Sequence, residues 1–320
     1  MRVLITGGAG FLGQKLAREL VARGQVGGRE ITAIELIDVT PPAAPAADFP
    51  VLAHARDITD PQALAESFGH KPEIVWHLAA VVSAAAEADL DLGLKVNLGG
   101  TLNLLQAARA AGNCPVFVFA SSVAAHGGEE PELVPDGVEL NPQTSYGTQK
   151  VMGELLLNDF TRRGLVDGRG LRLPTVTIRP GRPNAAASSF MSSIFRDTMQ
   201  GRKANCPVRP DYPIWHSAPR TVVHNLIYAA EIGGESIGSN RNFNLTGRTD
   251  TVAEMIAAMT EVFGPEAEKR ITWERDPQIE RIVTGWRGHF RPEKARRLGF
   301  RTDRSFADTV RWFLEDDIVR

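Results

Sequence analysis

Three glycines at regular spacing follow a short apolar run at the start of the chain. The run covers residues 3–5, Val-Leu-Ile, and is typical of a buried strand. Gly7 can make a tight turn, Gly10 leaves the backbone open to a pyrophosphate, and Gly13 lets the following helix pack close to the strand. The N-terminal N–H groups of that helix would then face the phosphates. A strand, a glycine turn and a helix in this order predict a dinucleotide site.

Strands and helices alternate after this stretch. Helices are predicted at residues 11–23 and 97–111, with a third that carries Tyr146 and Lys150, and strands at 30–37, 51–55, 73–78, 115–120 and 175–179. This alternation predicts an α/β fold of the Rossmann type, with a doubly wound parallel sheet. We expect residues 1–185 to form the NAD-binding domain with the catalytic residues. Residues 186–320 would form mainly a smaller C-terminal substrate lobe, with some segments returning to the core.

Composition restricts the class of partner. The formal net charge of -2 gives no sign of a nucleic-acid or membrane-surface footprint. Charges interrupt the apolar region at 74–94, which excludes an ordinary membrane span there, and the first strand leaves no room for a signal peptide. Cys114 and Cys206 make no disulfide framework, and no cluster has metal-ligand spacing. We therefore expect a cytoplasmic protein with a small-molecule substrate and no metal.

Acidic residues after the second and third strands select the cofactor. Asp38 lies about 25 residues after Gly13, near the roughly 20 expected of a ribose-binding carboxylate. A carboxylate there accepts both adenine-ribose hydroxyls and repels a 2′-phosphate, and no arginine follows directly, which favours NAD over NADP. Glu35 is the competing acid but falls inside the strand, and Asp38 as a plain surface acid is the other alternative. Asp57 is placed to meet the adenine edge; its alternative role is a helix N-cap, for which Asp60 is the better candidate.

A tyrosine and a lysine four residues apart share one helical face. A phenol with a pKa near 10 is a poor base at neutral pH, and lowering that pKa by about three units is worth roughly 4 kcal/mol. The charge of Lys150 favours the phenolate of Tyr146, and Ser122 at the end of the fifth strand can hold the reacting oxygen against it. Ser121 is the fallback for that serine, and a solvated helix face is the alternative for the pair. His77, at the end of the fourth strand, is interpreted as structural.

These landmarks together resemble the extended short-chain dehydrogenase/reductases, the NAD-dependent epimerase/dehydratase family. The landmarks stand in the family's order: Thr6 to Gly13, Asp38, Asp57-Ile58, His77 to Ala80, Asn97 with Gly100-Thr101, Ser121-Ser122, and Tyr146 with Lys150. The resemblance implies catalysis by Ser122, Tyr146 and Lys150, with Tyr146 as the general base. It implies contacts to NAD by Gly7, Gly10, Phe11, Leu12, Gly13, Asp38, Asp57, Ile58, Leu78, Ala79, Ala80, Asn97, Tyr146, Lys150 and Pro180. It also implies a homodimer formed through the helices that hold Asn97 and Tyr146.

The substrate prediction rests on departures from the sugar-nucleotide members of that family. Arg182 stands where a substrate-facing asparagine is usual, and its planar fork suits a carboxylate. Residues 145–150, 171–190 and 215–220 resemble family members that oxidise a four-carbon sugar acid at C2 with NAD. This implies the following substrate contacts in addition to Ser122 and Tyr146: Arg182 and Arg220 for the carboxylate, Ser83 and Asn184 for hydroxyls, and Trp215 and His216 as pocket walls. A surface or dimer position for Arg220 and a core position for Trp215 are the alternatives.

Two other functions stay open at this point. A nucleotide-diphosphate-sugar epimerase or dehydratase needs several cations in the C-terminal pocket, and Arg196, Arg202 and Arg209 are candidates. A dinucleotide sensor without catalysis would keep the fold alone. The intact Ser122 and Tyr146 argue against the sensor.

Overall fold

The computed structural model describes residues 1–181, 187–277, 279, 283 and 285–318. Its strands are β1 Arg2–Thr6, β2 Gln25–Val26, β3 Arg29–Glu30, β4 Ala33–Asp38, β5 Val51–Ala55, β6 Ile74–His77, β7 Val116–Ser122, β8 Leu133–Pro135, β9 Asp167–Leu173, β10 Thr175–Val176, β11 Ala204–Asn205, β12 Pro213–Ser217, β13 Asn242–Asn244, β14 Arg248–Thr251, β15 Ile271–Thr272 and β16 His289–Arg291. Its α-helices are α1 Phe11–Arg23, α2 Pro61–Gly69, α3 Ser83–Ala88, α4 Leu90–Gly93, α5 Thr101–Ala111, α6 Ser145–Arg162, α7 Phe190–Met199, α8 Pro219–Glu231, α9 Gly234–Ile237, α10 Val252–Phe263, α11 Glu293–Arg297 and α12 Phe306–Asp316. A π-helical segment, Leu94–Gly100, runs directly into α5.

A seven-stranded parallel sheet forms the centre of the molecule. Its strands lie in the order β13, β9, β7, β6, β1, β4, β5. The order reverses between β1 and β6, and ligands of such sheets bind in the crevice at the carboxyl ends of the strands beside this point. The predicted doubly wound parallel sheet is confirmed.

Helices cover both faces of the sheet with apolar side chains. On one face, Leu16 and Leu20 of α1 and Leu226 of α8 are buried against β1 and its neighbours. On the other face, residues of α2, α5 and α6 pack together, with Leu104 and Leu157 fully shielded from solvent. Because both faces are covered, the strands are nearly continuous apolar runs.

His77 is a structural residue, as the sequence suggested. Its ring is buried and hydrogen-bonded to Thr6 at 2.8 Å and to Thr101 at 2.9 Å, which joins β6 to β1 and to α5. Burial, together with the charge of Lys150, lowers the pKa of His77 to about 3. The ring is therefore neutral at physiological pH.

The prediction that residues 175–179 form a strand of the central sheet is wrong. The sheet strand is β9, which ends at Leu173, and β10 belongs to a separate three-stranded sheet with β12 and β14. The apolar pattern of β9 is interrupted by Arg169 and Arg172. Both guanidinium groups are buried because carboxylates neutralise them inside the protein: Arg169 pairs with Asp167 at 2.6 Å and Arg172 with Glu154 at 2.7 Å.

Part of the C-terminal region also joins the central sheet. β13 pairs in parallel with β9 at the sheet edge. A second apolar core lies among α7, α10 and α12, with Phe195 and Phe306 in contact at 4.8 Å between ring centres. Over the described ranges, no helix is long and apolar enough to cross a membrane.

Candidate active site

The predicted cofactor and catalytic residues meet in one cleft of about 680 Å³ at the carboxyl ends of the central strands. The predicted residues in its wall are Gly7, Gly10, Phe11, Leu12, Gly13, Asp38, Asp57, Ile58, Leu78, Ala79, Ala80, Ser83, Ser122, Tyr146 and Lys150. These predicted residues come from six separate segments of the chain. The cleft therefore brings together a glycine turn, of the kind that binds phosphate groups, and a group of ionisable side chains.

The glycine turn has no room for side chains at two positions. Gly7 has a φ of 73°, and a Cβ there would lie 2.7 Å from the backbone nitrogen of Ala79. A Cβ on Gly13 would lie 2.2 Å from the carbonyl oxygen of Gly7. Gly10 is the N-cap of α1 and supplies no capping side chain. The first N–H groups of the helix therefore suit an anion, as a dinucleotide requires.

Asp38, rather than Glu35, faces the cleft. Its carboxylate accepts a hydrogen bond from the backbone N–H of Ala9 at 3.1 Å. Glu35 is buried and accepts from Ser67 and from Arg56, both at 2.7 Å. Arg56 also lines the cleft, but two carboxylates, Glu35 and Glu66, already neutralise its charge.

Asp57 lines the cleft and is not the cap of α2. Asp60 is that cap, since its carboxylate accepts from the N–H of Gln62 at 2.9 Å. The carboxylate of Asp57 accepts from the N–H of Thr59 at 2.8 Å. This arrangement leaves Asp57 at the end of the cleft that Asp38 also lines.

Two predicted cofactor contacts, Asn97 and Pro180, do not line the cleft. Asn97 is buried in the π-helical segment and exchanges two hydrogen bonds with the backbone of Val81, at 2.8 and 3.0 Å. It holds a wall residue and does not reach the cleft itself. The prediction for Pro180 depends on a sheet strand at 175–179, whereas the sheet strand is β9. The proline next to the end of β9, Pro174, lines the cleft instead.

Tyr146 and Lys150 project into the cleft from the first turns of α6. The ammonium of Lys150 donates to the carbonyl of Ala120 at 2.8 Å and lies 5.5 Å from the centre of the Tyr146 ring. Burial lowers the pKa of Lys150 to about 8, while the charge of Glu154 acts in the opposite direction. Burial raises the pKa of Tyr146 to about 12, while a hydrogen bond with Ser122 and the charge of Arg179 act to lower it.

The two neighbouring serines have different partners. Ser121 also lines the cleft, but it is buried and its hydroxyl is engaged as a donor to Glu154 at 2.5 Å. Ser122 accepts from the N–H of Ala124 at 3.1 Å and lies close enough to Tyr146 to act in lowering the pKa of its phenol. The geometry is consistent with Ser122 as the serine that works with Tyr146.

Comparison with known proteins gives the family. The NAD dependent epimerase/dehydratase family matches residues 3–232. The chain belongs to this family. It is an oxidoreductase with an NAD-binding Rossmann fold.

Three relatives of this family member match over nearly their whole length. D-erythronate dehydrogenase of Cupriavidus necator is 47% identical, over 99% of this chain and 98% of its own. D-erythronate dehydrogenase of Haemophilus influenzae is 42% identical, over 99% and 100% respectively. The crystal structure of the nucleoside-diphosphate-sugar epimerase from Agrobacterium tumefaciens has a TM-score of 0.94 and 42% identity, over 99% and 94%.

Trp215 and His216 do not reach the cleft of this family member. Trp215 packs against Phe290, with 5.4 Å between ring centres, and His216 is buried against Asp250 at 2.8 Å. Both lie on β12, a strand of the three-stranded sheet, and their side chains are buried there. Their prediction as pocket walls is not supported by these positions, and the core alternative describes Trp215.

Of the two arginines predicted to bind substrate, Arg220 does not line the cleft. Arg220 lies in a separate groove of about 1300 Å³, where it pairs with Glu315 at 2.8 Å and with Asp316. That groove contains none of the predicted catalytic or cofactor residues, so Arg220 matches its surface alternative. Arg182 and Asn184 lie outside the described residues.

Sequence reasoning missed two cleft residues of different chemistry. Trp286, in the C-terminal region, lines the cleft, whereas the sequence predicts Trp215 as the pocket wall. Arg179 lines the cleft beside Ser188. A signal for Arg179 was present, since an arginine next to Pro180 is hard to place inside a sheet strand.

Proposed function

We propose that this protein oxidises a small sugar acid, D-erythronate or a near analogue, at its C2 hydroxyl to the 2-oxo acid, with NAD as cofactor. The observation that carries the proposal is the joint position of Ser122, Tyr146 and Lys150 in the cleft that begins at the glycine turn. The names of the two dehydrogenase relatives, which match over nearly the full chain, support the substrate class.

NAD is the cofactor that the charges of the cleft favour. Asp38 presents a carboxylate where a ribose diol would bind, and such a group repels a 2′-phosphate. Arg56, the first arginine after Asp38 and a residue of the cleft wall, is already neutralised by Glu35 and Glu66. No compensating charge for a 2′-phosphate is therefore available from Arg56.

The residues of this chain divide the chemistry among them. Ser122 holds the substrate hydroxyl by a hydrogen bond, and Tyr146 accepts its proton as the carbonyl forms. Lys150 and Arg179 favour the phenolate of Tyr146 over the phenol by their positive charge. When bound, NAD would supply the acceptor for the hydride that leaves the same carbon, so the alcohol loses one hydride to NAD and one proton to Tyr146.

A nucleotide-sugar epimerase is the second candidate because the Agrobacterium tumefaciens relative carries that name. Its diphosphate would need cations, and Arg196, Arg202 and Arg209 were the candidates. None of them lines the cleft: Arg196 and Arg202 pair with Asp197, and Arg209 pairs with Asp211. These positions support the sugar-acid proposal over the epimerase.

The test incubates the purified protein with NAD and a panel of aldonates and UDP-sugars. We expect NADH, followed at its absorbance band, to form only with a short sugar acid. Turnover of a UDP-sugar without net NADH would overturn the proposal in favour of the epimerase. Absence of turnover with every compound, despite measurable NAD binding, would favour the dinucleotide sensor.

We also propose that the protein is a homodimer. Leu155 of α6 is 64% exposed, and Leu90 and Leu92 of α4 are 53% and 41% exposed, although all three are large apolar side chains. α4 and α6 contact each other, so both helices can contribute to a face for a second copy. We expect light scattering to give twice the chain mass, and Leu155→Glu to reduce it to a single chain mass. A wild-type protein of single chain mass at micromolar concentration would contradict the dimer.

A further inference from the structure

Arg179 is a guanidinium without a carboxylate partner anywhere in the described part of the chain. Its Nη2 donates to the carbonyl and the hydroxyl of Ser188, at 3.0 and 3.3 Å, and its Nε lies 3.4 Å from the hydroxyl of Ser192. These partners are neutral, so the positive charge is not compensated. A shielded cation of this kind is costly unless an anion completes its surroundings.

The acid on α7, the helix that packs against Arg179, is already occupied by other arginines. Asp197 accepts two hydrogen bonds from Arg196, both at 3.0 Å, and one from Arg202 at 2.7 Å. Burial and the like charge of Arg196 lower the pKa of Arg179 to about 10. An anionic ligand would relieve both effects, because it would restore a negative charge beside the guanidinium.

Arg179 lies beside the proposed base. It lines the cleft together with Ser122 and Tyr146, and it is close enough for its charge to lower the pKa of the Tyr146 phenol. In a 2-hydroxy acid the carboxylate carbon is bonded directly to the carbon that carries the reacting hydroxyl. A residue that binds this carboxylate must therefore lie next to the base, and Arg179 meets this condition while Arg220 does not.

The backbone around Arg179 is held in place by α7. The N–H of Arg179 donates to Ser192 at 3.1 Å, its carbonyl accepts from Arg196 at 3.1 Å, and the Thr177 hydroxyl donates to the carbonyl of Met191 at 2.6 Å. Little freedom remains to be lost when a ligand binds, which favours affinity and selectivity.

Resting on the proposed function, we propose that Arg179 binds the carboxylate of the substrate and restricts this enzyme to 2-hydroxy acids. The planar fork of arginine donates two parallel hydrogen bonds to a carboxylate. A neutral alcohol leaves the charge of Arg179 without a partner. A nucleotide sugar carries its diphosphate several bonds away from the carbon that reacts, so that group cannot reach Arg179 while the sugar hydroxyl is at Tyr146.

The test compares D-erythronate with its neutral amide, which keeps the C2 hydroxyl, in the wild type and in Arg179→Gln. We expect the wild type to prefer the acid by at least about tenfold in kcat/KM, as the loss of one charge-assisted pair implies. In R179Q this preference should fall to near unity, chiefly through a higher KM for the acid. Arg179→Lys keeps the charge but loses the fork and should retain part of the preference.

Arg209→Gln is the matched control, because Arg209 is an exposed arginine of the same lobe that pairs with Asp211. It should keep the acid preference, and NAD affinity measured by fluorescence should stay within about threefold in all variants. If R179Q does not fold, a lower acid preference in R179K decides the question. An unchanged ratio of acid to amide in the folded variants overturns the inference. Failure of the wild type to oxidise the acid instead overturns the proposed function.

Discussion

The ammonium of Lys150 lies 5.5 Å from the centre of the Tyr146 ring, one helical turn away on α6, and donates to the carbonyl of Ala120. Lys150 is 3% exposed. The contact places a positive charge near the phenol while the ammonium is held by the end of β7. It follows that the two side chains have separable roles, which substitutions can distinguish.

Tyr146→Phe should abolish turnover and leave NAD binding nearly intact, because it removes the proton acceptor and little else. The expected fall in kcat is at least about a hundredfold, the usual contribution of a positioned general base. Tyr228→Phe is the matched control, since the Tyr228 hydroxyl donates to the carbonyl of Leu298 outside the cleft. Steady-state kinetics and an NAD titration check both variants, and turnover that survives in Y146F would show the base assignment to be wrong.

Lys150→Met should remove activity and make the folded state more stable at pH 7. The pKa of Lys150 falls from 10.5 to about 8, and each unit corresponds to about 1.4 kcal/mol. Below pH 8 both folded and unfolded forms carry the charge, and the folded form bears the burial cost. Between pH 8 and 10.5 the folded form loses its proton first, so the wild type gains stability as pH rises.

Urea unfolding at pH 7 and pH 10 measures this effect. We expect K150M to exceed the wild type by up to about 3 kcal/mol at pH 7, and by much less at pH 10. Lys95→Met, an exposed lysine of the same cleft, should change stability by less than about 0.5 kcal/mol. A K150M variant less stable than the wild type at pH 7 would contradict this account.

Asp38→Asn should weaken NAD use and narrow the preference for NAD over NADP. The substitution removes the charge that we propose accepts the ribose hydroxyls, and we expect a loss of about tenfold or more in kcat/KM for NAD. It also removes the repulsion of a 2′-phosphate, so NADP should lose less than NAD. The exposed Asp48→Asn is the control. An unchanged ratio of the two cofactors in D38N would exclude Asp38 as the selective residue.

His77→Gln should make stability less sensitive to acid. The unfolded histidine takes up a proton near pH 6.5, whereas the folded ring, with a pKa of about 3, does not. The wild type therefore loses stability from this group as pH falls below 6.5, about 2 kcal/mol by pH 5. Glutamine can keep hydrogen bonds to Thr6 and Thr101 without titrating. Urea unfolding at pH 7 and pH 5 should show the smaller loss in H77Q, and an equal loss in both proteins would contradict the assignment.

The part of the cleft wall formed by the glycine turn and Asp38, where we propose that NAD binds, was predictable from the sequence. The positions of these residues depend only on the strands and the helix next to them in the chain. A glycine turn between strand and helix, and an acid at the end of the next strand, have a fixed geometry once the sheet forms. Helix α1 begins at Phe11 and ends at Arg23, with Gly24 as its C-cap, as the apolar period and that glycine predicted. Tyr146 and Lys150 needed only the period of a helix.

The part of the cleft wall that contains Pro174, Arg179 and Trp286 was not predictable in the same way. β9 was missed because Arg169 and Arg172 break the apolar pattern, and the local sequence does not show that Asp167 and Glu154 neutralise them inside the protein. Trp215 and Trp286 cannot be told apart by local sequence, since only the packing of the second lobe decides which one lines the cleft. Arg179 was assigned to a strand for the same reason that β9 was missed.

The pairing of β13 with β9 has a consequence for exchanging specificity between relatives. An edge strand of the central sheet comes from the C-terminal region, and its partner β9 reaches the cleft wall at Leu173. A chimera spliced once near residue 185 would import a foreign edge strand together with the foreign pocket. A chimera that exchanges substrate specificity therefore needs two junctions, placed so that Asn242–Asn244 stays paired with its native β9 strand. The recipient protein then keeps its own central sheet and receives only the foreign substrate-binding residues.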